Sequence, residues 1–319
     1  MNYLNKPICA TAFGNTGYGS CFLEPDKFIG AIQVTGDFAI RQEDVADLME
    51  FLQGKIHAAI GTRVFPYPKF INVTDNTEDI TINTTDYGDK IYVKDGFYDW
   101  TFRYLAGGVQ LHQELSKNQG ANKYFLYFDK NNVLYGYTTT VNGEKVLKGI
   151  PTDQFRALPW RLNTGAEAAL YQLRFITDPI YLNQGNLGFL KVDFNLLDIH
   201  GLQDVELSLV DLAGSVATVL AKTKISDVNM YDAFSTNLTQ TAAWTAKDED
   251  GNTITISNIA PVANADGDQG GFALTFGAGF ATADKAYLKW VAPATLRNAP
   301  INIEGYETPA ALEVEAPGS

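Results

Sequence analysis

The chain has little of what most protein chemistry requires. Its 319 residues include three histidines and two cysteines. Cys9 and Cys21 both fall in the first 21 residues, too few for a disulfide framework. Free thiols in a reducing compartment are expected, with a single bond between them left open. No apolar run approaches the roughly 18 residues that a membrane-crossing helix needs, so no membrane is expected as a partner. The first ten residues have no basic start and no apolar core, so a signal peptide is not expected. Lys and Arg are outnumbered, 24 against 37 Asp and Glu, for a net charge of −13. From Asn195 onward 16 acidic residues face 6 basic ones, a balance of −10; the first 194 residues hold 21 and 18, a balance of −3. A groove for DNA needs clustered Lys and Arg, so sequence-specific nucleic-acid binding is not expected.

Motifs for catalysis are scarce in the same way. His57, His112 and His200 show no HxxxH or HExxH spacing and read as core, capping or surface residues. The Gly-rich stretch Gly14–Ser20 lacks the Lys-Ser/Thr of a P-loop and has neither a strand before it nor a helix after it; it reads as a loop. No GxSxG occurs. Three oxygen-rich segments, Asp75–Asp79, Lys247–Asn252 and Asp266–Asp268, lack the spacing of an EF-hand loop and read first as β-turns, which Asp, Asn and Gly favour. No carboxylate pair stands out as a glycosidase site. Neither a catalytic residue, a metal ligand nor a cofactor site is assigned, and an enzyme is not expected.

What the chain does have is aromatic side chains, 16 Tyr and 19 Phe, and short segments with strand character. Residues 1–35 are Gly-rich, with one strand near Phe28–Thr35; the rest of this arm is expected to order against an adjacent subunit. Val45, Leu48, Met49, Leu52, Ile56 and Ile60 recur at helical spacing, which predicts one main helix over 42–60. Strands are predicted at Asp79–Asn83, Asp89–Lys94 and Phe97–Leu105, then at Lys123–Asp129 and Val133–Thr139 as a hairpin across Lys130–Asn132, and at Leu170–Thr177 and Gly188–Leu196. A short helix is predicted from Val109 to Lys117. In Phe97–Leu105 the pattern places Tyr98, Trp100, Phe102 and Tyr104 on one face. That face reads as core before it reads as a sugar platform. The fold class is mainly β (α+β): an antiparallel sandwich or barrel-like domain over 1–194 with helix 42–60.

A second run of short strands follows: Val205–Leu212, Val216–Thr223, Thr253–Ile259, Gly271–Phe276 and Ala286–Val291, with Trp244 between them and Gly/Asp/Asn turns at the joints. This is the pattern of an immunoglobulin-like β-sandwich, expected over 195–307. Residues 308–319 read as a tail that needs a neighbouring surface to become ordered.

Asp95–Gly108, Leu111–Leu115, Tyr124–Tyr137 and Leu173–Phe189 resemble virion structural proteins of tailed phages of Bacteroidetes-type bacteria. Tyr231–Ile259, Gly270–Phe276 and Ile301–Glu307 are similar to the Ig-like modules appended to phage head and tail proteins. The resemblance implies a self-assembling virion component made in the host cytoplasm, with copies of itself and other virion proteins as partners. Tail-tube proteins combine a β-sandwich or barrel with one flanking helix, which agrees with the helix at 42–60. They also carry an acidic surface for DNA passage, from which this chain departs, because its negative charge lies mostly in the second domain. The alternatives are a capsid or head decoration protein, and a glycan-binding adhesion module. The aromatic, nearly neutral first half is expected to make the contacts between copies.

Overall fold

A computed structural model describes residues 26–105, 107–164, 169–183, 186–277, 280 and 285–315. Cys9, Cys21, the Gly14–Ser20 loop and the arm up to residue 25 lie outside the described residues. The chain groups into two compact units, one holding residues up to Ile56 and Ile60–His200, the other His57–Ala59 and Gly201 onward.

The first unit is built on a ten-stranded antiparallel sheet that curls into a half-barrel. Its strands are β1 (Phe28–Val34), β2 (Phe65–Pro66) and β3 (Phe70–Asp75), then, beyond a separate two-stranded ribbon of β4 (Thr81–Thr84) and β5 (Lys90–Lys94), β6 (Tyr98–Tyr104), β7 (Gly120–Asp129), β8 (Val133–Val141), β9 (Glu144–Lys148), β10 (Ile150–Ala157), β11 (Tyr171–Thr177) and β12 (Leu187–Lys191). Neighbours run β12-β8-β7-β10-β11-β6-β3, with β1 on the other edge of β7, β2 on β1 and β9 on β8. The curl has a local origin. β9 and β10 are nearly one strand, but β9 pairs with β8 while β10 pairs with β7 and β11. The switch falls at Gly149, where a Cβ would lie 2.5 Å from Val34 Cγ2 and 3.2 Å from the Phe125 backbone nitrogen. Only a residue without a side chain lets the bent strand come this close.

Alternation along β11 shows how the sheet makes a core. Tyr171, Leu173, Phe175 and Thr177 are buried, while Gln172, Arg174 and Ile176 between them are partly exposed. Phe175 meets Phe125 edge-on at 4.8 Å and Phe102 at 5.4 Å, and it packs on Phe155 at 5.1 Å between ring centres. Such offset and edge-on contacts add about 0.5–1.5 kcal/mol each to the burial of apolar area. On the opposite face Arg174 donates to both carboxylate oxygens of the buried Asp99, at 2.9 and 2.6 Å.

Two sequence expectations are corrected here. The segment 42–60 is α-helical only as α1, Leu48–Ile56. A separate 3-10 turn at Glu43–Val45 precedes it, with the Asp44 carboxylate accepting from Arg41 N at 2.7 Å, and another follows at Ile60–Thr62. Periodicity sees the buried face of Leu48, Leu52 and Ile56 but not that the Lys55 carbonyl, in the last turn of the helix, accepts from Val64 N at 3.3 Å. The unit also holds α2 (Gly108–Lys117), as long as α1, and a single turn α3 (Ile180–Asn183). The strand expected to reach Leu196 stops at Lys191; Asn195 then caps a 3-10 turn, its side chain accepting from Leu197 N at 3.1 Å.

The second unit is an Ig-like sandwich of β13 (Val205–Ala213), β14 (Val216–Thr223), β15 (Trp244–Lys247), β16 (Thr253–Ile254), β17 (Ile256–Asp266), β18 (Gln269–Phe276), β19 (Lys285–Trp290) and β20 (Leu312–Glu315), with short helices α4 (Met230–Phe234) and α5 (Pro293–Leu296). One sheet runs β13-β14-β18-β17 and the other β16-β15-β19-β20. Lettered A to G in chain order with β16 as C′, these are the ABED and C′CFG sheets of the immunoglobulin fold. Trp244 begins strand C and meets Trp290 of strand F edge-on at 5.9 Å. β14 and β19 carry no cysteine; alanines, Val219 and Leu288 fill the core there in place of an inter-sheet disulfide. The segment 253–259 is not one strand: it splits into β16 and β17, which belong to different sheets. Residues 312–315 are not a tail. They form β20, paired with β19 from Lys285↔Glu315 to Leu288↔Leu312, with Val314 in the core.

Gly149→Ala should destabilise the first unit by about 1–3 kcal/mol, read as a lower melting temperature, because backbone and packed side chains leave no room for a methyl group. In the second unit two buried tryptophans differ in one bond. Trp244 Nε1 donates to the Leu238 carbonyl at 2.8 Å, whereas Trp290 Nε1 is buried without a partner. Trp244→Phe should therefore cost about 1–2 kcal/mol more than Trp290→Phe in denaturant unfolding, because it leaves a buried carbonyl unpaired.

Candidate functional site

Two surfaces of the first unit stand out, and both begin with strand β6. The aromatic stripe of that strand divides in two. Phe102 and Tyr104 are fully buried, while Tyr98 and Trp100 are only partly covered. Trp100 packs edge-on against Phe28 at 5.6 Å and Tyr127 at 5.6 Å, and lies 5.5 Å from Tyr98. Together they open a cleft of about 360 Å³ whose wall is completed by Val73, Leu182 and Leu187, with Phe102 and Ile150 at its buried side. Asp26, Lys27 and Asp75 also line it. The register explains Asp75: it lies directly opposite Trp100 on β3, as Val73 lies opposite Phe102. Asp26 is held by Lys130 at 2.8 Å, and this bond keeps its carboxyl below the usual carboxylate range.

The second surface is the ribbon β4–β5, which leaves the sheet where β3 and β6 end. Asn76 N donates to Asp99 O and Glu78 N to Phe97 O, so the ladder continues into its base. A tight turn closes its tip, with Gly88 N donating to Thr85 O at 2.9 Å and Gly88 at φ 85°, where a glycine is needed. Every residue of both strands is exposed. Yet Ile82 and Tyr92 pair on one face and Ile91 stands on the other, while Val93 falls where the register shifts. Tyr87 at the tip is 96% exposed. An isolated two-stranded ribbon is marginal in water, and among the described residues its apolar side chains are only about half covered.

The residues singled out by sequence behave differently. His112 is buried on α2 as a structural link: Nε2 donates to the Leu158 carbonyl at 2.8 Å, so Nδ1 accepts from the Tyr104 hydroxyl at 2.7 Å. His57 is buried just beyond the end of α1, and His200 is exposed. Of the oxygen-rich segments, Lys247–Asn252 and Asp266–Asp268 hold turns, whereas Asp75–Asp79 carries the β3 ladder on into the base of the ribbon. Asp75 accepts from Thr77 N at 3.0 Å; Asp248 accepts from the Asn252 side-chain Nδ2 at 2.9 Å and from Asn252 N at 2.7 Å, bonds that lower its carboxyl; Gly267, between β17 and β18, has φ 59°. Among the described residues, no group of three His, Cys, Asp or Glu is placed to hold a metal ion, and no helix is long and apolar enough to cross a membrane. Sequence reasoning found the strands of the ribbon but not its isolation. It also missed the cleft, whose walls come from segments as far apart as Phe28 and Leu187. For the ribbon a signal was present: Ile, Val and Tyr on both faces of strands closed by Asp-Tyr-Gly.

Burial raises the hydroxyls of Tyr67, Tyr104, Tyr127 and Tyr135 well above the usual tyrosine value, and for Tyr135 the Asp129 carboxylate accepting its proton at 2.9 Å adds to the effect. The folded chain holds these protons more tightly than the unfolded chain. Their stabilising contribution is therefore complete below about pH 10, the unfolded tyrosine value, and is lost as the pH rises beyond it. An alkaline titration followed at the tyrosinate absorbance tests this for Tyr67, Tyr104, Tyr127 and Tyr135. These four should ionise only together with loss of the near-ultraviolet circular dichroism; ionisation without unfolding would contradict their burial.

No protein-family model matches the chain, and neither a curated protein nor a solved structure matches it.

Proposed function

We propose that this chain is a structural subunit of a tailed-phage virion that acts by self-assembly, in the tail tube. The observation that carries this reading is the ribbon. Ile80, Ile82, Tyr87, Ile91, Tyr92 and Val93 are all strongly exposed. Their surface is on the order of 800 Å², close to one partner's share of a standard-size protein interface. A folded chain that displays this much apolar surface on an isolated ribbon is built to bury it on another protein, because otherwise it invites aggregation. The half-barrel flanked by helices is of the kind the sequence resemblance implies. Its rigid aromatic core gives a subunit that can be repeated without distortion. The role is mechanical, and the specificity lies in matching surfaces.

Purified full-length protein should form rings or tubes under negative-stain microscopy, with a mass by light scattering that rises with concentration. The double variant Ile82→Asp with Ile91→Asp should keep the circular dichroism and melting temperature of the parent, since both side chains are exposed, and should reduce assembly at least tenfold. A parent protein that stays monomeric at every concentration would refute self-assembly.

A further inference from the structure

Among the described residues, the unit that displays an exposed apolar ribbon also carries a cleft that is apolar except for Asp26, Lys27 and Asp75. We propose that the ribbon of one copy inserts its tip into the Tyr98–Trp100 cleft of the next, so that copies join head to tail. This rests on the self-assembly reading and names the surfaces it uses.

Three observations support the pairing. The chemistry matches: Val73, Tyr98, Trp100 and Leu187 wall the cleft, with Asp26, Lys27 and Asp75 beside them, and the tip half of the ribbon offers Tyr87 and Ile91. The size matches as well, since about 360 Å³ is room for roughly two side chains of Tyr or Ile size at protein packing density. The third observation is the direction of the ribbon. Its two strands leave the sheet beside the cleft, from Asp75 and toward Tyr98, both of which line it. The ladder from Thr81↔Lys94 to Thr84↔Lys90 then extends about 10 Å, at 3.3 Å per residue, before the turn that holds Tyr87. The tip cannot reach the cleft at its own base without breaking that ladder. A ribbon tip that fills the cleft therefore comes from another copy.

Because ribbon and cleft are different surfaces of one chain, each copy in such a contact still has one of the two free. The contact is heterologous: it closes into a ring if the rotation between copies permits and otherwise extends as a filament. A symmetric contact, ribbon against ribbon, would stop at a dimer.

Complementary defects test this. A ribbon variant, Tyr87→Asp with Ile91→Asp, keeps an intact cleft. A cleft variant, Tyr98→Lys, keeps an intact ribbon; Val73→Lys serves as a second cleft variant, and circular dichroism checks the fold of each. Each alone should remain monomeric. Mixed in equal amounts, they should give a discrete species of twice the monomer mass, which cannot grow because its remaining ribbon and cleft are both disabled. Cleft variants that assemble like the parent while the ribbon variant does not would overturn the pairing and leave self-assembly standing. A parent that never assembles would overturn both. Should both cleft variants fail to fold, cross-linking decides. With Cys9 and Cys21 replaced by Ser, chains carrying Tyr87→Cys and chains carrying Val73→Cys should form a disulfide with each other on oxidation. Bonding of Tyr87→Cys chains only among themselves would show a symmetric contact and refute the proposal.

Discussion

The first unit depends on the packing of aromatic rings against one face of a strongly curled sheet. Phe175 sits among Phe102, Phe125 and Phe155, all fully buried, and each comes from a different strand. Large flat side chains can fill the inside of a curled sheet with few atoms of backbone near them, which is what a half-barrel demands. The curl in turn needs a place where strands come closer than side chains permit, and Gly149 supplies it. The ring cluster and the bend therefore require each other. The cluster has no interior to fill without the curl, and the curl leaves a void without the rings.

The same core sets what remains outside. β6 is covered along its second half and only partly along its first, so Phe102 and Tyr104 end as core and Tyr98 and Trp100 as the lining of a cleft. Where the β3–β6 ladder outruns the core, the chain continues as a ribbon whose strand residues are all exposed. Cleft and ribbon are thus two results of one fact: the pairing of β3 with β6 extends beyond the aromatic interior.

The second unit solves the same packing problem with two sheets instead of one. Trp244 and Trp290 bridge the layers from adjacent strands C and F, and the Leu238 carbonyl fixes the first of them. Buried tryptophans and small residues on β14 and β19 take the place of a covalent cross-link. This suits a chain whose two cysteines lie outside the sandwich altogether.

By itself the sequence determined the elements whose pattern is local. Alternation placed β6, β8, β14 and β19 within a residue or two, the short helix expected at Val109–Lys117 is α2, and turn residues marked Asn131–Asn132 and Gly267. The strand run with Trp244 also announced an Ig-like sandwich, because each strand of that fold alternates independently. Only the tertiary structure decided matters that depend on a distant partner. It ended α1 at Ile56, where side-chain and backbone bonds from outside the helix take over. It divided 253–259 between two sheets, and it recruited Leu312–Glu315 as β20, since a short strand is stable only beside its neighbour. It separated the buried half of the β6 stripe from the exposed half, and it left the β4–β5 ribbon without cover. In each case the residues alone state what a segment prefers, while burial is a property of what the rest of the chain brings against it.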